Sequence, residues 1–243
     1  MQEKIRISIV IASFNGESYI ESQILSFLRY LKDFDEIVIS DDGSSDRTVE
    51  IIKSIDDKRV RLVANGPNLG YQGNFQRAIL ASKGDFVFFS DQDDICLNSR
   101  FEESLRLLKS FDCVFGDAVL VDANLNIIDH SYFNSRKLIS NNIGFFSLFL
   151  KPKAIGATMA CKRNFLLSAL PFPSGVPHDH WLSMLSVLKG RLGISNESFI
   201  LYRRHSKSVS LTGIASKRSF FLIIAERFRL LKSLIFYLLK KIG

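Results

Sequence analysis

The chain has 243 residues, 47% hydrophobic and 23% charged, enough apolar matter for one domain of generous size. Its formal charge of +7 sits at one end: residues 211–243 hold seven Lys or Arg against the single acid Glu226, a net +6, leaving +1 for the first 210. A nearly neutral body excludes a broad nucleic-acid footprint, and three scattered cysteines (Cys96, Cys113, Cys161) without C-x-x-C spacing exclude a disulfide framework or a zinc site. In chain order, Ile5–Ile11 is an apolar strand reached without a signal-peptide core, so the expected compartment is the cytoplasm. A turn at 12–16 leads to a helix carrying Tyr19, Ile20, Ile24, Leu25, Phe27, Leu28 and Leu31 at helical spacing. Glu36–Ser40 is a second strand, Thr48–Ile55 a helix capped by Ser45 or Asp46, and Val60–Ala64 a third strand. Asn74–Ser82 is a helix that stops near Gly84, ahead of the apolar strand Phe86–Phe89. Strands and helices alternating at this rhythm predict βαβ units and a largely parallel, doubly wound sheet over residues 1–110. Beyond Phe111 the rhythm weakens: Val114–Val121 and Asn126–Asp129 read as strand or hairpin material, Gly144–Leu150 as an apolar segment and Gly156–Cys161 as a strand. Trp181–Leu188 then reads as a helix and Ser198–Tyr202 as a last strand.

The informative stretch is Gly84–Asp94, G-D-F-V-F-F-S-D-Q-D-D, a buried strand that ends in three carboxylates within four positions. Like charges so close are unfavourable unless a cation or ligand compensates them. Ligands of open α/β sheets sit at the carboxyl ends of the strands, and Asp91 and Asp93 offer hard oxygens to Mg²⁺ or Mn²⁺. With the first, second and fourth strands as parallel neighbours, Ser13-Phe14-Asn15, Asp41-Asp42 and Asp91-Gln92-Asp93 share one edge. Phe14 then suits a nucleobase, Asp42 a ribose hydroxyl or imide N–H, and Asp93 a metal under a diphosphate. An acidic loop that caps the next helix is the plain alternative.

I-S-I-V-I-A-S-F-N-G-E at 7–17, E-I-V-I-S-D-D-G-S-S-D at 36–46, N-L-G at 68–70 and the 84–94 run together resemble family 2 glycosyltransferases of the GT-A fold. G-A-T-M-A at 156–160, P-F-P at 171–173, H-D-H-W at 178–181 and Y-R-R-H at 202–205, followed by S-V-S, resemble the bacterial rhamnosyltransferase branch. The resemblance implies an α/β GT-A (Rossmann-like) domain over 1–210, with a nucleotide-sugar half (1–110) and an acceptor half (111–210). It implies an inverting, divalent-metal-dependent transfer, with dTDP-L-rhamnose or a UDP-sugar as donor and a lipid-linked surface polysaccharide as acceptor. Ser13, Phe14, Asn15, Glu17, Asp41 and Asp42 are implied to meet the nucleotide sugar, as are Asn68, Gly70, Asn74, Asp91 and Gln92. Asp93, with Asp91, holds Mg²⁺ or Mn²⁺, and Asp94 is a helix cap or a support to that site. Arg203 and His205 add positive charge at the diphosphate. Asp179 is implied to be the general base, and Gly156, His178, His180 and Trp181 line the acceptor side. Many members carry an acid where His178 stands, and a protonated imidazole there would weaken the base. A nucleotidyltransferase is disfavoured because Ala12–Glu17 holds no Lys or Arg. A catalytically degenerate glycan-binding protein is the non-enzymatic alternative.

The end of the chain, 211–243, reads as a basic amphipathic helix. Its longest uncharged runs are seven residues, too short for a span. Phe221, Ile224, Phe228, Leu231, Ile235, Leu238 and Leu239 share one side, and most charges the other. Such a helix suits the cytoplasmic face of the plasma membrane, with docking on the chain's own core or on a second copy as the competing reading.

Overall fold

The computed structural model describes residues 6–138, 144–205 and 220–242, so the S-V-S motif, Lys217 and Arg218 lie outside the described residues. Strand β1 (Ile7–Ser13) is the middle of the parallel region, pairing in parallel with β2 (Glu36–Asp41) and with β4 (Phe86–Ser90). Beyond β2 lies β3 (Val60–Asn65), also parallel. The connecting helices are α1 (Ile20–Leu28), α2 (Thr48–Ser54) and α3 (Gly70–Ala81). Period-two alternation divides each central strand between two cores: Ile7, Ile9 and Ile11 enter one with Ile37, Ile39 and Phe88, while Val10, Val38, Val87 and Phe89 enter the other. Both faces are covered, which is why these strands read as continuous apolar runs. Helix α3 begins four residues before the expected Asn74. Gly70 takes φ +73°, and Asn68 Oδ1 accepts its N–H at 3.1 Å, so the turn closes directly into the helix.

The sheet continues into the second half as a mixed array. A two-residue β5 (Ile95–Cys96) and α4 (Ser99–Leu108) precede β6 (Cys113–Val121), β7 (Ile127–Asp129), α5 (Tyr132–Ser135) and α6 (Phe145–Leu150). The expected strand at 156–161 is instead a 3₁₀ turn at Gly156–Thr158 followed by a short β8 (Ala160–Lys162), which runs antiparallel to both β4 and β6. Helices α7 (Arg163–Ala169) and α8 (His178–Leu188) lead to β9 (Leu192–Arg203), far longer than the expected Ser198–Tyr202. It lies parallel to β6, with β5 on its other edge. The full order is β3-β2-β1-β4-β8-β6-β9-β5, with β7 on β6.

The last helix, α9 (Phe220–Ile242), docks on the body by a stripe that the sequence did not single out. Leu230 and Leu234 are buried at 0% and 2% exposure, and Tyr237 packs edge-on to Trp181. The stripe predicted to be apolar, among its described side chains Ile224, Phe228, Leu231, Ile235, Leu238 and Leu239, faces outward. No described helix is long and apolar enough to cross a membrane.

Candidate active site

The loops after β1, β2 and β4 meet at the carboxyl edge of the sheet, and most of their polar side chains fasten one loop to another. Asp41 is buried and accepts from Ser13 Oγ at 2.7 Å and from Gly43 N, Ser44 N and Ser44 Oγ at 3.1, 2.8 and 2.6 Å. Asn15, at φ 48°, accepts from Ser45 N, and Glu17 accepts from Arg47 N. Gln92 clamps both backbone groups of Phe14, at 2.8 and 3.0 Å. Asp42 Oδ1 takes Leu69 N and the Arg77 guanidinium, both at 2.8 Å, while buried Asn74 donates to the Ser13 carbonyl. Polar residues at strand ends first satisfy the turn backbone, and this engages side-chain oxygens of Asn15, Asp41 and Asn68, the Ser13 hydroxyl and the Asn74 amide. All five, expected to meet the nucleotide sugar, brace the loops of this edge. Phe14, half exposed at 46%, stays open on this edge.

Beside this wiring stands the acidic cluster. Asp91, Asp93 and Asp94 place carboxylate oxygens within 4.8 Å of one another. Burial, then the charges of Asp93 and Asp179, push the Asp91 carboxyl up to about 7. Burial with the charges of Asp93 and Asp91 drives Asp94 well above the carboxylate range. Asp94 Oδ1 accepts the Arg203 N–H at 3.0 Å, and its buried Oδ2 meets no donor among the described residues. Asp94 therefore caps no helix and belongs to the cluster. Partial compensation comes from Arg100, wholly buried with its guanidinium 5.5 and 5.7 Å from the Phe27 and Phe88 rings.

The end of β9 closes over this cluster. His205 Nε2 lies 2.8 Å from Asp93 Oδ2, and its ring stacks on Tyr19 at 4.8 Å. Arg203 spends Nε on the Asp93 carbonyl at 2.7 Å and Nη1 on the Ala123 carbonyl at 2.6 Å, so it straps the acidic loop where a diphosphate contact was expected. Asp179, half-buried in the first turn of α8, accepts the His180 N–H at 2.8 Å. Its charge reaches both Asp91 and Tyr132. Gly156 leaves room for the neighbouring His178 ring, since a Cβ there would lie 2.7 Å from His178 Nε2.

A family model for glycosyl transferase family 2 matches residues 8–172. The chain belongs to this family. Among its relatives, the Escherichia coli UDP-Glc:alpha-D-GlcNAc-diphosphoundecaprenol beta-1,3-glucosyltransferase WfgD is 29% identical over 84% of this chain and 79% of its own. The S. aureus TarS 1-349 structure in complex with UDP-GlcNAc superposes with TM-score 0.66 at 18% identity, over 84% of this chain and 60% of that one. Glucosyl-3-phosphoglycerate synthase from Mycobacterium tuberculosis, solved with Mn²⁺, UDP and glucosyl-3-phosphoglycerate, gives TM-score 0.58 at 20% identity over 83% and 73%. The two structures show the GT-A fold, and the match spans 60% of the TarS chain.

In this glycosyltransferase the acceptor-side expectations need correction. His178 lies in a box of Tyr71, Phe75, Phe89 and Phe172, neither ring nitrogen has a partner among the described residues, and burial pulls its pKa below 6.5. A neutral imidazole puts no positive charge beside Asp179. His180 and Trp181 point inward: His180 bridges the Leu148 carbonyl and Glu226, and Trp181 donates to the Ala169 carbonyl at 2.9 Å. Neither forms an acceptor wall, because α8 starts at His178 and turns both onto its buried side. Tyr19, Arg77, Arg100 and Tyr132 escaped sequence reading. Tyr19 falls at an apolar helix spacing in the sequence, and nothing in a linear pattern marks Arg100 as the countercharge. The donor set fits a hard divalent cation: three carboxylates close together, one with an orphaned buried oxygen.

Proposed function

We propose that this glycosyltransferase moves a hexose from a nucleoside diphosphate donor to a hydroxyl of a lipid-linked saccharide, with inversion, in the crevice edged by Phe14, Asp93 and Asp179. What supports it is that the charges of both Asp93 and Asp179 act on the Asp91 carboxyl, as a site shared by a metal and a base requires. Phe14 offers its ring to the base, and Asp42, braced by Arg77, lies at the same edge. Mg²⁺ or Mn²⁺ at Asp93, with Asp91 and Asp94 beside it, supplies Lewis-acid neutralisation of the charge that develops on the departing diphosphate. Asp179 takes the acceptor hydroxyl proton as the sugar bond forms, a contribution of roughly 10²–10⁴ in rate. With a single base and no second carboxylate acting as nucleophile, one displacement inverts the anomeric centre.

The E. coli relative's name carries UDP-glucose and a diphosphoundecaprenol acceptor, and this favours a UDP-hexose donor and a lipid-linked acceptor here. The 156–160 and 178–181 motifs favour dTDP-L-rhamnose. A thermal-shift comparison of UDP and dTDP with Mn²⁺, then nucleoside diphosphate release from each donor, decides between them. No release from any donor, with or without acceptor, would return the chain to the glycan-binding reading. The outward stripe of α9, flanked by Arg229 and Lys232, supports peripheral attachment to an anionic membrane surface at the cytoplasmic face.

A further inference from the structure

Helix α9 presents three faces. Successive residues advance about 100°, so Leu230, Leu234 and Tyr237 fall on the docked face. Ile224, Phe228, Leu231, Ile235, Leu238 and Leu239 form an outward apolar arc, and Arg229, Lys232 and Lys240 lie beyond it, interleaved with the exposed Leu222 and Phe236. The acid of this helix, Glu226, is turned inward at 13% side-chain exposure and pairs with Arg227 at 2.7 Å. The outward described surface of α9 thus carries cations and no carboxylate.

A second apolar projection stands beside it. In α6, Leu148 is buried while Phe146 and Leu150, four positions apart on one face, are 78% and 72% exposed, above Phe228 at 70%. The two helices are fastened together. Arg227 Nη2 donates to the Leu150 carbonyl at 3.2 Å, and His180 Nε2 lies 3.0 Å from the Leu148 carbonyl while its Nδ1 lies 3.4 Å from Glu226. Exposed Lys151 adds a further cation directly after Leu150.

We infer that α6 and α9 make one bipartite docking face for an anionic bilayer surface, with Phe146 and Leu150 entering the apolar layer alongside Phe228, Leu231 and Ile235. The inference rests on the membrane reading of α9 and extends it to α6, which the sequence marks only as an apolar segment. Charge decides the occupant. A two-fold contact between copies sets each patch against itself and brings cationic rows together, whereas an anionic leaflet neutralises them. The fastening runs through His180, the residue after Asp179, so a docked face holds the start of α8 near the bilayer surface where a lipid-linked acceptor sits.

Co-sedimentation of the full chain with phosphatidylglycerol-containing vesicles, and with phosphatidylcholine vesicles as the uncharged control, tests the inference. Phe146→Ser/Leu150→Ser and Phe228→Ser/Ile235→Ser should each lower the partition coefficient about tenfold or more, given the free energy of burying such side chains. In parallel, Phe146→Trp should show bromolipid quenching above the background of the buried Trp181, a readout that needs no destabilising change. If the α9 pair weakens binding while the α6 pair matches wild type and the Phe146→Trp protein shows only that background, the bipartite face is wrong and the α9 reading stands. If neither pair weakens binding, the membrane reading itself fails. If the α6 pair turns a dimer into a monomer in sedimentation velocity, with vesicle binding unchanged, the face is a self-interface and the inference is overturned.

Discussion

Asp91 keeps its proton to about pH 7 in the metal-free chain because burial and the charges of Asp93 and Asp179 all oppose ionisation. A divalent cation needs the ionised form, so binding Mn²⁺ should release protons, Asp91 contributing about one near pH 6 and far less near pH 8. Calorimetry in buffers of different ionisation heat reads this directly. Asp93→Ala should remove the Mn²⁺-dependent part of the thermal shift that UDP produces, since it takes one of the three clustered carboxylates away. Asp179→Asn should leave that shift intact and lower transfer by roughly 10²–10⁴, the range for a lost general base. Loss of the shift as well would mean that Asp179 belongs to the donor site.

At the scale of elements, the loops around the crevice are held by buried polar contacts, so their cost appears as stability before it appears as turnover. Arg77 ties Asp42, the Gly66 carbonyl and Asn74 at 2.8, 2.6 and 3.2 Å, joining β2 to the turn before α3 and to α3 itself. Arg77→Ala strands a carboxylate that is 3% exposed and should cost about 1–3 kcal/mol or more in urea unfolding. Leu230→Ala opens a cavity where α9 meets the core and should cost about 2–5 kcal/mol, against a few tenths for the exposed Leu239→Ala. Equal effects would mean that α9 does not dock on the body in solution.

For the whole molecule, Asp91 and Asp94 both have folded pKa values above their unfolded ones. The folded state then binds more protons than the unfolded one, so the metal-free protein should lose stability as pH rises from about 4 to 7. Saturating Mn²⁺ should flatten or reverse this slope, checked by urea midpoints along the series. Glu36, Asp46, Asp57, Glu103, Asp122 and Glu226 oppose the trend: partners hold their pKa values down, so their stabilisation is present above the usual carboxylate range and fades on acidification. The slope predicted here is the difference between these two groups of carboxylates.

The sequence by itself determined the parallel half of the sheet, because strands buried on both faces must be apolar throughout, as 7–11 and 86–89 largely are, with glycine and carboxylates marking where they stop. It also determined the acidic cluster, since three carboxylates within four positions are visible without coordinates. Only the tertiary structure decided which polar residues are spent on neighbouring loops. Asp41 and Asp93 look alike in sequence, yet one is saturated by four hydrogen bonds and the other joins the carboxylate cluster of Asp91 and Asp94. It likewise decided which stripe of α9 docks, turning inward Leu230 and Leu234 and leaving the more regular apolar stripe outside. Periodicity shows that a helix has an apolar face, and the shape of the surface it meets chooses which residues that face buries.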